Sequence, residues 1–117
     1  MPVRRLKKRV QFLKAARGSK IAARGFVLQA IKVADPTPGV GYTVTKKTGN
    51  APERSRIKRR LRAAVADCSG ALVAGHDYVL IGRRASLTEP FDTLVTGLGS
   101  ALRRIHTQKP QRTEAKP

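Results

Sequence analysis

Between Asn50 and Cys68 the run NAPERSRIKRRLRAAVADC leaves little choice but an amphipathic helix with one face fastened to a core. Asn50 is a strong N-cap residue, Pro52 suits the first turn, and Glu53 at the third helical position approximates a capping box. At about 100° per residue, Ile57, Leu61, Ala64, Val65 and Cys68 gather on one side. Arg54, Arg56, Lys58, Arg59 and Arg62 cover the rest, and no acid follows Glu53 until Asp67. Cations near a helix N-terminus oppose the peptide dipole, each by up to about 1 kcal/mol. Placing them there makes sense when an anion is waiting, because free amides and guanidiniums together form a phosphate receptor.

The whole chain repeats this bias. Lys and Arg number 25 against 7 Asp and Glu, a formal charge of +18 over 117 residues, and no acid precedes Asp35. A merely solubilising surface intersperses both signs, so the field points to a polyanionic partner, nucleic acid. A membrane surface would ask for a broad apolar helix face or an apolar span of about 20 residues, and neither is visible. The basic N-terminus lacks the apolar stretch of a secretory signal, and the expectation is a cytoplasmic protein. The one cysteine, Cys68, excludes an internal disulfide and reads as a small apolar residue on the helix.

The length suits one domain, read as 1–106, with a tail at 107–117 that has no apolar period. Leu6, Val10 and Leu13 describe a first amphipathic helix ending near Arg17, with Gly18 as its C-cap. Ile21 to Val33 reads as a strand, Asp35-Pro36-Thr37-Pro38-Gly39 as a turn, and Val40 to Thr45 as a second strand. The two form an expected antiparallel hairpin, with Phe26, Tyr42 and Val44 on one packed face. Past the second helix, Asp77 to Arg83 reads as a central strand because Tyr78 to Ile81 is continuously apolar, which implies a βαβ crossover. A last helix starts near Thr88-Glu89-Pro90 and carries Phe91, Leu94, Val95, Leu98, Leu102 and Ile105 on one stripe. The order α-β-β-α-β-α describes a two-layer α/β sandwich.

A protein that cut phosphodiesters with its own metals would gather carboxylates at close range. Here Asp35, Glu53, Asp67, Asp77, Glu89, Asp92 and Glu114 are scattered, and each has a structural reading as cap, helix end, strand start or tail. His76 and His106 lie far apart in sequence, without a Cys or second His at ligand spacing, and read as surface residues. A stand-alone nuclease is therefore disfavoured, whereas a small ribosomal or ribosome-associated RNA-binding protein would share this composition.

The ordered set LKKRVQF, VTKKTGNAPERSRIKRRLR and DYVLIGRRA resembles the protein subunit of bacterial ribonuclease P, over roughly Arg5 to Ile105. The specific part is a strand leading into Lys46-Lys47, then Gly49-Asn50, then Arg54-Ser55-Arg56, similar to the family's Arg-Asn-Arg signature with Ser in place of Asn. A ribosomal protein has no reason to contain that set. The resemblance implies a protein that binds a large catalytic RNA and, with it, removes the 5′ leader of precursor tRNA, the RNA carrying the chemistry. It implies an unusual left-handed crossover, no catalytic protein residue, no metal or small-molecule substrate bound by the protein alone, and Mg2+ supplied through the RNA. Lys46, Lys47, Asn50, Arg54, Ser55, Arg56, Lys58, Arg59 and Arg62 then fall on the RNA-contacting motif, and Phe12, Phe26 and Arg17 on a leader-binding cleft. Where many relatives carry further aromatics in that cleft, this chain has Ala16 and Gln29. With fewer rings to stack on, each worth about 1 to 3 kcal/mol per base, leader binding shifts towards phosphate contacts.

Uncompensated positive charge opposes compaction until anions bind, so sulfate or phosphate should raise the thermal midpoint. A midpoint indifferent to both anions would count against a receptor at the Asn50 helix start.

Overall fold

Four consecutive apolar residues, Tyr78 to Ile81, drive the strand that carries them to the middle of a sheet, where both faces and both edges are covered. The computed structural model describes residues 3–107 and places that strand at the centre. In chain order the elements are β1 (Arg4–Arg5), α1 (Arg9–Ala16), β2 (Ser19–Ala22), β3 (Phe26–Lys32), β4 (Gly39–Thr43), α2 (Ala51–Asp67), β5 (His76–Gly82) and α3 (Phe91–Thr107). The mixed sheet runs β1-β4-β5-β3-β2, with β4 parallel to β5 and to β1, and β3 antiparallel to β5 and to β2. The expected α/β class and the parallel β4-α2-β5 unit are both present.

The expected hairpin of Ile21 to Val33 with Val40 to Thr45 is corrected. Ile21 to Val33 is not one strand: the backbone turns at Arg24 and Gly25, and β2 and β3 form the hairpin, with Ser19 opposite Ala30 and Ala22 opposite Val27. β3 and β4 do not pair, because β5 lies between them and uses an edge of each. The Pro-rich loop carries the chain across the end of β5, tied by hydrogen bonds from Val33 N–H to the Gly75 carbonyl and from Gly75 N–H to that of Pro36. A strand apolar on both faces outcompetes a local hairpin, since the central position buries Tyr78, Val79 and Leu80 and covers Ile81 in part.

Strand alternation divides the sheet into two unlike faces. Phe26, Leu28, Ala30, Tyr78 and Leu80 point one way, into the main core beneath α2 (Ile57, Leu61, Ala64, Val65) and α3 (Leu94, Leu98, Ala101, Leu102, Ile105). The two-layer reading describes this half of the molecule. Val79, Ile31 and Ile81 point the other way, where α1 adds a partial third layer with Leu6, Phe12 and Ala15. The first helix does not use its expected stripe: Leu6 is buried but precedes the helix, while Val10 and Leu13 stay half exposed. An eight-residue helix needs little apolar surface to dock, and Ala15 with Phe12 supplies it. Thr107 ends α3, and the rest of the expected tail, 108–117, lies outside the described residues.

The histidines also depart from expectation. His76 and His106 meet edge to face with ring centroids 4.7 Å apart, and His106 Nε2 hydrogen-bonds the Tyr78 hydroxyl. That hydroxyl also accepts from Val73 N–H at 2.9 Å. Burial first, then the neighbouring His76, holds the His106 pKa below the ordinary histidine value. A depressed folded-state pKa gives stability that is complete above the unfolded value near about 6.5 and is lost as pH falls through the folded one. The thermal midpoint should thus drop between about pH 7.5 and about pH 5.5 by more in the wild type than in His106→Gln. Equal drops would show that this cluster does not titrate with folding.

Candidate nucleic-acid interface

The entry to α2 is a rigid piece of chemistry built from few residues. The Asn50 side chain accepts from Glu53 N–H and the Glu53 carboxylate accepts from Asn50 N–H, each at 2.9 Å, completing the capping box. Arg84, in the short turn after β5, donates to both Glu53 carboxylate oxygens, at 3.2 and 2.8 Å, and to the Thr48 carbonyl at 3.0 Å. Its bond, and then the Asn50 amide, lowers the Glu53 pKa below the usual glutamate value. Arg54 donates to the Gly49 carbonyl at 2.9 Å. Gly49 has no room for a side chain, since a Cβ would come within 2.6 Å of Glu53 Oε1. The 3-10 turn Lys46–Thr48 is thereby fastened to the helix, with both lysines exposed. Sequence reading missed Arg84, and the available signal was Glu53 itself, one acid among cations and in want of a partner.

Helical spacing splits the predicted cations between two flanks. Arg54, Lys58 and Arg62 follow one another at intervals of four on the flank facing the β4 edge, where the Arg62 guanidinium lies over the Tyr42 ring, 5.3 Å from its centroid. Arg56 and Arg59 lie on the other flank, forming with Ala63 and the exposed Phe91 of α3 a shallow depression of about 360 Å³. Ser55 points outward and is exposed. Arg60 belongs to the fold instead: it donates to the Ser86 carbonyl at 2.8 Å and to that of Glu89. The signature Arg54-Ser55-Arg56 thus presents three side chains in three directions, with Arg54 half-buried and Arg56 free in solvent.

On the opposite face, the Phe12 ring sits directly on Gly41 of β4, where any Cβ would approach the ring to 2.6 Å. Phe12 is half-buried, and the sheet beside it offers Val27, Ile31 and Ile81, each partly exposed under the short α1. Arg17, the C-cap of α1, is exposed at the helix end. Phe26 does not join them. It pairs with Gly82 and is 1% exposed in the core under α2 and α3, on the other side of the sheet from Phe12, because strand parity puts residue 26 opposite in sense to 27, 29 and 31. Gln29 does face the α1 side and is buried.

The carboxylates hold the fold together. Asp77 and Asp35 both pair with Arg4, Glu53 with Arg84, and Glu89 with Arg24 at 3.7 Å. Among the described residues no three His, Cys, Asp or Glu side chains come together in a group able to hold a metal ion, and no helix is long and apolar enough to cross a membrane.

Comparison with known proteins bears on this geometry. A family model described as Ribonuclease P matches residues 2–106. The chain is 45% identical over 123 residues to the ribonuclease P protein component of Paramagnetospirillum magneticum, covering 95% of this chain and 90% of that protein. It is 48% identical over 103 residues to that of Gluconacetobacter diazotrophicus, covering 86% and 89%. Among solved structures, the RNase P protein from Thermotoga maritima superposes with a TM-score of 0.73 at 28% identity, over 86% of this chain and 96% of that one. A mutant RNase P protein from Staphylococcus aureus gives 0.74 at 28% identity, over 85% of each.

Asn50→Ala removes the acceptor for the Glu53 amide and costs about 1 kcal/mol, which lowers the thermal midpoint by about 4 °C in a domain of this size. Arg84→Ala changes the midpoint little, because its ion pair is exposed. It speeds amide hydrogen exchange at Thr48 and Asn50, and unchanged exchange there would mean the turn is not held from Arg84.

Proposed function

The chain belongs to the ribonuclease P protein family, the RNA-binding protein component of a bacterial-type ribonucleoprotein enzyme whose RNA carries the catalysis, and we propose that it engages its RNAs on two separate faces. The face built on α2 and its entry turn, with Lys46, Lys47, Asn50, Arg54, Ser55, Arg56, Lys58, Arg59 and Arg62, receives the catalytic RNA subunit. The face built on α1, with Phe12 and Arg17 over the half-open floor of Val27, Ile31 and Ile81, receives the single-stranded 5′ leader of precursor tRNA. The observation that carries this reading is the capping box at Asn50, whose one acid is neutralised by Arg84, so that the helix start keeps its positive end while Lys46 and Lys47 of the entry turn and Arg54, Arg56 and Lys58 of the first turns stand near it.

The protein's part is to position and neutralise. Guanidiniums and ammoniums on α2 take phosphates of the folded RNA, contacts that fix orientation without reading bases. On the other face the Phe12 ring offers one stacking platform, and Arg17 lies within reach of the passing backbone. Magnesium ions enter through RNA phosphates, and the assembly works in the cytoplasm.

Added to the catalytic RNA at low magnesium, the protein should enhance cleavage of precursor tRNA. If about six phosphates are neutralised, the association constant falls with a log-log salt slope near 5. Arg56→Ala should lower that slope by about 0.9 without moving the thermal midpoint, since Arg56 makes no contact the fold needs. An unchanged slope and affinity in Arg56→Ala would refute the placement of the RNA on this face.

A further inference from the structure

Where β1 and β4 form the edge of the sheet beneath the C-terminal half of α2, a concavity of about 460 Å³ opens to solvent. This falls within the range of about 300 to 1,000 Å³ typical of small-molecule sites. Its floor is apolar, made by Val40 of β4 with Val65 and Ala66 of α2, and one wall is the Tyr42 ring. Arg5 and Arg62 stand at the opening, and neither has a carboxylate partner among the described residues. Burial raises the Tyr42 pKa, and the charges of Arg62 and then Arg5 work against that rise, so both guanidiniums act at its hydroxyl.

An apolar floor beside an aromatic ring, with two guanidiniums at the rim that no described carboxylate neutralises, has the chemistry of a receptor for a flat ring bearing a phosphate. Arg62 is also the last of the cations Arg54, Lys58 and Arg62, which step about 12 Å along one flank of α2 and end at the pocket. A strand tracked by that flank is delivered to the opening, which favours a nucleotide in a chain over a free one. We propose that this pocket receives one extruded nucleotide of an RNA strand, its base against Tyr42, Val40 and Val65 and its phosphate between Arg5 and Arg62. The proposal rests on the RNA-binding reading of α2 and extends it to a site that reads a base as well as a backbone.

The test is a backbone-amide NMR titration of the full-length chain with a short single-stranded RNA, with adenosine monophosphate and with inorganic phosphate. The RNA should shift the amides of Tyr42, Val65, Ala66 and Ser69, and Tyr42→Leu should weaken its binding about 5- to 100-fold, the loss of one stacked base. Tyr42→Phe keeps the ring and should retain most of the affinity, which separates stacking from a folding defect. RNA binding that leaves those amides unmoved, or equal affinity in Tyr42→Leu, would overturn the pocket while leaving RNA binding by α2 intact. Saturation by the monophosphate that RNA does not displace would overturn the assignment to a strand. Phosphate alone producing the full set of shifts would overturn the base. Failure of the RNA to bind at all would overturn the RNA-binding reading and the pocket with it.

Discussion

Repulsion among 25 Lys and Arg is the constraint that orders the rest of this structure, because only 7 acids are available to oppose it. Where the described acids form ion pairs, they join parts of the chain distant in sequence. Asp77, buried at the start of β5, pairs with Arg4 of the edge strand 73 residues away, and Arg4 also donates to the Thr37 carbonyl. Glu53 ties α2 to Arg84 across 31 residues. A buried carboxylate left without its partner is costly, so the Arg4–Asp77 pair does more than the exposed Arg24–Glu89 contact to fix how elements meet. Four of the acids, Asp35, Glu53, Asp77 and Glu89, are committed to such junctions, and along α2 none stands between Glu53 and Asp67, so the positive field there follows from this allocation as much as from the number of cations.

The central strand gives that field its direction. Because β5 is apolar on both sides, the sheet needs cover on both, and the cover is unequal: two long helices on one face and eight residues of α1 on the other. The thick side holds α2 by Ile57, Leu61, Ala64 and Val65, so its cations turn outward on two flanks. The thin side leaves apolar sheet residues partly open beside Phe12. One sheet thus separates a strongly cationic surface from a surface with a half-exposed aromatic ring, and a change on either side reaches the other only through the strands between them.

Features encoded by neighbours along the chain were legible in the sequence. The Asn50 cap, the Glu53 response, the apolar stripe of α2, the central position of Tyr78 to Ile81 and the docking stripe of α3 from Leu94 to Ile105 all rest on spacings of a few residues, and the structure keeps them, while Phe91, expected at the head of that stripe, is left exposed in the first turn. Pairings decided by competition between distant segments were not legible. Whether β3 takes β4 or β5 depends on which strand most needs two partners, and the two-residue β1 has no pattern of its own. The same limit governs the side chains: Phe26 and Phe12 are both aromatics in amphipathic stretches, and only sheet parity sends one to the core and leaves the other half open. His76 and His106 read as surface residues because nothing in either local sequence shows that the end of α3 returns to the start of β5.

The Ser55 departure from the family's usual Asn acquires a definite meaning from this geometry. Arg54 is braced on the Gly49 carbonyl and helps to hold the entry turn, so part of its role lies in the fold. Ser55 lies outward, is exposed, and takes no part in the capping network. Replacing an amide by a hydroxyl there removes a donor and acceptor pair from the space outside the protein and nothing from within it. What the exchange alters is therefore the outer surface of the helix: one shorter group, with two lone pairs and a single proton, between two arginines that lead to opposite flanks. The guanidiniums of Arg54 and Arg56 keep their charge whichever group stands between them.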